Sequence, residues 1–186
     1  MNSPSWYKGL GHKGAAMTKD QKTVAIGAAS GVIIMALLVI FLSKSIAAPV
    51  ITDTPGDRLG FALPWAAFGA LPLFVMLAAV GNARFLGEAI DPTLGKEDQK
   101  MIVNGRVADN TLQQFVLFLV GLLGLAVTLP LYRMSIIPAA TMTFVFMRII
   151  FWIGYRINPL YRAPGFSSTA YLNLGMLVAT VVLWIS

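Results

Sequence analysis

The chain has 186 residues, 57% of them hydrophobic and only 12% charged, with 14 Lys and Arg against 8 Asp and Glu for a net charge of +6. A soluble domain carries about 25% charged residues, so a lone water-soluble fold is excluded. There is no cysteine, and the single histidine, His12, sits beside Lys13 in a polar tail. Disulfides, a cysteine nucleophile, Cys-ligated metals and most histidine-based hydrolase or zinc chemistry are excluded with them.

Roughly 18 or more consecutive apolar residues are needed to cross a hydrocarbon core of about 30 Å. Five stretches approach or pass that length: Thr23 to Ala47, Gly60 to Leu86, Leu112 to Leu131, Ile136 to Tyr155 and Ser168 to Ser186. The sequence therefore predicts an all-α integral membrane protein of five spans. Residues 1–22 read as a basic tail whose Trp6 and Tyr7 suit a membrane interface, too long and polar a preface for a cleavable signal. The first span carries Gly27 and Gly31, a small-xxx-small spacing that permits close helix approach. Ala48 to Leu59 reads as a loop. The second span holds Pro64 and Pro72, which predict a kink near its middle. Arg84 to Arg106 reads as a mixed-charge loop with one short surface helix, Pro130 ends the third span, and Arg156 to Ser167 reads as a loop.

Basic residues gather on the cytoplasmic side of a membrane protein. With the N-terminus inside, that side receives Lys8, Lys13, Lys19, Lys22, Arg84, Lys96, Lys100, Arg106, Arg156 and Arg162, against Lys44, Arg58 and Arg133 outside. The positive charge thus reports topology and anionic membrane lipids as partners, not nucleic acid, which would need a folded basic surface. The short loops suit a bacterial inner membrane better than an endoplasmic reticulum.

Chemistry concentrates in two places. At the head of the third span, Arg106, Asp109, Asn110, Gln113 and Gln114 recur at three-to-four-residue spacing and so share a helical face. Polar groups facing hydrocarbon are costly; that face therefore looks into protein or a wet cleft, with hydrogen bonding between helices the simpler use of the two glutamines. Arg148 lies inside the fourth span, seven residues or about 10 Å from its end near Tyr155. No Asp or Glu follows Asp109, so Arg148 has no acidic partner on its own or the next helix. It either lines a pathway or a ligand site or snorkels toward headgroups. Tyr155 lies two helical turns below it, and Arg156 and Arg162 surround the same mouth. A cationic cleft walled by apolar helices suits an amphipathic anion, or a polar anionic cofactor beside a lipophilic substrate.

These residues resemble a known family. Arg106-x-x-x-Asn110-x-x-Gln113 is similar to the Arg-x-x-x-Asn-x-x-Glu motif of the MAPEG family, the membrane-associated proteins in eicosanoid and glutathione metabolism. Arg148 and Tyr155, seven apart on the following helix, match its second motif. Arg162 falls where the leukotriene synthases carry an arginine that stabilises a thiolate. The resemblance covers roughly Gly60 to the C-terminus and implies a four-helix transmembrane bundle over residues 60–186, with 23–47 an additional N-terminal helix. That five-helix layout is similar to the mattrin-like branch of the family.

The resemblance further implies glutathione as cofactor, bound by Arg106, Asn110, Arg148 and Tyr155, with Arg162 lowering the thiol pKa, and a homotrimer binding it between subunits. The implied function is a glutathione-dependent transferase or peroxidase acting on lipophilic electrophiles or lipid peroxides. One departure stands out: the family's glutamate is Gln113 here, leaving Asp109 as the candidate partner for the glutathione ammonium. That departure, with the extra helix, also admits a non-catalytic membrane protein that binds lipid or a partner protein.

Overall fold

In the computed structural model, residues 17–186 are described; the expectations for the tail, including His12, Trp6 and Tyr7, fall mostly outside them. The chain forms five long helices: α1 (Lys19–Ser45), α2 (Pro55–Leu86), α3 (Gln99–Thr128), α4 (Ile136–Ile157) and α5 (Ala163–Ile185). No strand occurs among the described residues. All five are long and apolar enough to cross a membrane.

Four starts differ from the hydropathy reading, each for a local reason; α1 begins at Lys19 rather than Thr23 because Thr18 caps it, accepting the Gln21 N–H at 3.2 Å. Helix α3 begins at Gln99, well before the apolar run at Leu112, because Asp98 accepts the Met101 N–H at 2.7 Å and caps a polar first stretch. The supposed loop before Arg106 therefore ends in about two helical turns of α3 itself. Helix α5 begins at Ala163, because Pro164 sits in the first turn, where its missing N–H costs nothing. Helix α2 begins at Pro55 by the same logic, with Thr54 accepting the Asp57 N–H at 3.2 Å, and it runs through Pro64 and Pro72 as one element.

Helices α2 to α5 form a bundle. Its middle is filled by Phe118 and Phe144, stacked with ring centroids 4.3 Å apart, among Ala62, Ala66, Leu122, Ile137 and Ala140. Gly69 of α2 makes room for this, since a Cβ there would lie 2.8 Å from Phe118 Cε1. Toward the end that carries Arg106, Arg156 and Arg162, hereafter the basic end, a second cluster joins Met76, Val107, Ala108, Phe151 and Tyr155. At the far end, Arg58 in the first turn of α2 is buried; it pairs with Asp53 and donates to the carbonyls of Ala126 and Leu129. It thus satisfies acceptors that the last turn of α3 leaves open.

Helix α1 stands outside the bundle, and Gly31 is its one buried residue. It rests on α5: an added Cβ at Gly31 would come within 2.2 Å of the Pro164 carbonyl oxygen. The Ser168 hydroxyl is a donor shared between two acceptors, the Gly31 carbonyl oxygen at 2.7 Å and the Pro164 carbonyl oxygen at 2.6 Å. At the far end, Ser135 donates to the Ser43 carbonyl at 2.8 Å. The Gly27/Gly31 spacing therefore serves helix packing.

Candidate functional site

The turn between α4 and α5 sets the site. Asn158 ends α4, and its side chain accepts the Leu160 N–H at 2.9 Å, starting a 3-10 turn over Pro159–Arg162. That turn folds directly onto α4 because position 154 is glycine; a Cβ there would sit 2.3 Å from the Tyr161 carbonyl oxygen. Arg162 is thereby carried back over Tyr155. Its Nη1 donates to the phenolic oxygen at 3.2 Å, and its guanidinium carbon lies 5.1 Å from the ring centroid.

Around this pair is a cavity of about 530 Å³ at the basic end. Arg106 and Asn110 of α3, Tyr155 of α4 and Arg162 line it with Phe151, Leu160, Phe166 and Ser167, and α1 contributes Val24. Among the described residues, no carboxylate lines it. The volume lies within the roughly 300–1,000 Å³ usual for small-molecule sites. One side of the wall is cationic and hydrogen-bonding, the other apolar.

Arg148 stands behind that wall, fully buried. Its Nη2 donates to Asn110 Oδ1 at 3.0 Å and to Thr111 Oγ1 at 2.6 Å, and its Nη1 to Thr169 Oγ1 at 3.2 Å. The guanidinium also lies over the Phe151 ring, 4.0 Å from the centroid, a favourable placement for a desolvated cation. Its Nε has no partner, and all three acceptors are neutral. Burying an ion costs several kcal/mol even after relaxation, which these hydrogen bonds and the ring contact offset. What this arrangement fixes directly is the side chain of Asn110, which reaches from the arginine to the cavity. Snorkelling does not occur.

The structure thus brings Arg106, Asn110, Tyr155 and Arg162 to one cavity and sets Arg148 one layer deeper. Asp109 and Gln113 do not line it; both are exposed on the outer flank of α3, next to Arg106. Gln114 faces the other way, into the bundle, where Asn173 Nδ2 donates to its Oε1 at 2.9 Å. The five polar residues therefore do not form a single face: the helix divides them between the cleft, the outer flank and the core. Sequence reasoning missed Thr111 and Thr169 as partners of Arg148. The signal for Thr111 was its place one residue after Asn110; for Thr169, its place as a polar point near the start of an apolar helix.

A profile of the MAPEG family matches residues 62–182, well over half of the chain. The chain belongs to the MAPEG family. The match begins inside α2, so α1 lies outside the region that the family shares. Among curated proteins, the chain is 25% identical over 125 residues to Transmembrane protein 79 of Mus musculus, covering 67% of this chain and 32% of that protein. It is 23% identical over 125 residues to Transmembrane protein 79 of Bos taurus, covering 67% and 31% respectively. The matched region spans about a third of the length of these relatives. No solved structure matches the chain. It is a MAPEG-family multi-pass membrane protein.

Proposed function

We propose that the cleft at the basic end binds glutathione and that this MAPEG-family member is a glutathione-dependent transferase or peroxidase for lipophilic electrophiles or lipid peroxides. The observation that carries the reading is the convergence of Arg106, Asn110, Tyr155 and Arg162 on one cavity without a carboxylate in its lining. Such a donor set fits the two carboxylates and the thiol of glutathione. Arg106 is placed to pair with a carboxylate, and Asn110, held by Arg148, to present its amide N–H to another polar group. Arg162 would hold a thiolate in the cleft by its positive charge, with Tyr155 fixing its position. Bound glutathione would supply the nucleophilic or reducing sulfur. Val24, Leu160 and Phe166 give the cleft an apolar side for a lipophilic substrate.

The ammonium of glutathione finds no anion in the cavity of a single chain. Arg106, Asp109 and Gln113 form an exposed polar flank on a membrane helix, a costly arrangement against lipid. A second copy covering this flank supports the homotrimer as the working unit, with Asp109 as the ammonium's partner. Asp109→Asn then weakens glutathione binding markedly. With the basic end facing the cytosol, as the arginine bias favours, the cleft opens to the cellular glutathione pool.

The test is calorimetry of glutathione binding to detergent-purified protein, with Arg162→Ala alongside, followed by a conjugation assay with a lipophilic electrophile. Binding with turnover that Arg162→Ala abolishes is the expected result. Binding without turnover supports the second reading, a non-catalytic member, which Gln113 in place of the family glutamate favours. No binding by folded protein overturns the glutathione reading.

A further inference from the structure

A second cavity, also about 530 Å³, lies away from the cleft, between α1 and the bundle in the half of the molecule distant from the basic end. Its origin is the way α1 is fastened. The helix touches α5 through Gly31 and Pro164 and touches the start of α4 through Ser43 and Ser135. Between these two fixings Met35 and Val39 pack against the core, and a groove stays open beside that contact. Met35 and Val39 of α1 line it with Leu125 of α3, Ala140 of α4 and Leu172 and Gly175 of α5.

Two polar residues line this groove. They are Tyr171, the lining residue of α5 nearest the basic end, and Arg133, in the turn between α3 and α4 at the far end. Arg133 is exposed and, among the described residues, has no carboxylate partner; its neighbour in space is the Tyr132 ring. Lys44 follows Ser43 at the same end. From Tyr171 to Leu183 the groove runs twelve residues along α5, about 18 Å at 1.5 Å per residue. That is close to half of a hydrocarbon core of about 30 Å.

Water does not suit such a space, which offers too few polar groups to hold it, and leaving it empty forfeits dispersion contacts along the whole lining. A hydrocarbon chain suits it. The rim residues Ile40, Tyr171 and Val182 are exposed, so a lipid can leave a second chain in the bilayer. We propose that this groove is a binding site for one acyl chain of an anionic phospholipid, with its phosphate at Arg133. The site is separate from the glutathione cleft; α5 supplies the largest share of its lining, and α1, the helix outside the shared family region, closes one side of it. The lipid acts as a wedge that completes the contact between α1 and the bundle.

Native mass spectrometry of the full-length protein tests this, with phosphatidylglycerol, phosphatidylcholine and palmitate added at equal concentration. Wild type retains one phosphatidylglycerol in preference to phosphatidylcholine by about fivefold, the contribution of one basic group beside a lipid phosphate. Arg133→Gln, a change on the exposed turn, removes that preference. Gly175→Leu fills the groove, because a Cβ at Gly175 meets nothing within 4 Å, and it lowers retention of both phospholipids at least tenfold. Equal retention of phospholipid by all three proteins overturns the proposal. So does retention of palmitate with no phospholipid, which would assign the groove to a free fatty acid.

Discussion

Replacing Arg148 by methionine separates the two things a buried arginine can do. The substitution keeps most of the volume and the contact with Phe151 while removing the charge. Three hydrogen bonds from the guanidinium are lost, to Asn110, Thr111 and Thr169, each of a kind contributing about 1.5–3 kcal/mol. Against that stands the desolvation of one ion, several kcal/mol, which no longer opposes folding. The acceptors are not stranded either: Thr111 still donates to the Val107 carbonyl at 2.7 Å and Thr169 to the Gly165 carbonyl at 3.1 Å. The two sides nearly cancel, so stability stays within about 2 kcal/mol of wild type. For a chain of this size that is a shift of no more than about 4–8 °C in melting temperature. Glutathione binding behaves differently, because Asn110 loses the group that aims it. Loss of one such aimed contact, about 1.5 kcal/mol, weakens affinity roughly tenfold. Thermal unfolding in one detergent and calorimetry on the same preparation read both quantities. A fall in melting temperature beyond about 15 °C refutes the cancellation and makes Arg148 a structural keystone. Unchanged glutathione affinity refutes its role in positioning Asn110.

Other outcomes follow from single contacts. Arg58→Ala removes the ion pair with Asp53 and the cap on the last carbonyls of α3; it lowers stability by about 2–4 kcal/mol, read by thermal unfolding, and a shift under about 2 °C contradicts it. Gly31→Leu drives a side chain into the Pro164 carbonyl, so α1 leaves α5 and proteolysis between Ile46 and Thr54 speeds severalfold; an unchanged rate would show that Ser43 and Ser135 hold the helix unaided. In the transferase reading, Arg162→Ala takes a cation from beside the thiol and raises its pKa. The conjugation rate near pH 7 then falls and its pH profile moves to higher pH; a profile that drops without moving would assign Arg162 to substrate binding instead.

Hydropathy marked the five spans because crossing a bilayer imposes a length that composition alone can display. It misplaced the starts of α1, α2, α3 and α5, where the helix extends past the apolar run and the deciding features are caps and first-turn prolines. The site was partly legible. Arg106, Asn110, Tyr155 and Arg162 meet because they obey helical spacing and because Gly154 lets the turn close, and the resemblance to a family motif had already joined them. Assigning Arg106, Asp109, Asn110, Gln113 and Gln114 to one face overreached: each step of 100° moves a side chain off the stripe, and Gln114 ends in the core beside Asn173. The partners of Arg148 were hidden because threonines satisfy the local backbone in many apolar helices. Their turn toward a guanidinium on another helix depends on tertiary placement.

The fixings of α1 have a consequence for how the chain is made. Helix α1 meets its partners only once α4 and α5 follow it, Ser135 at the start of α4 and then Pro164 and Ser168 of α5; the bond between Gly31 and Ser168 joins residues 137 positions apart. Until then α1 must persist as a separate span, which its length and apolarity allow. Its neighbours α2 and α3, clasped at one end by Arg58, can meanwhile associate without it. A chain interrupted before α5 would leave α1 held only at its far end, by Ser43 and Ser135, without the seat that Gly31 takes on α5.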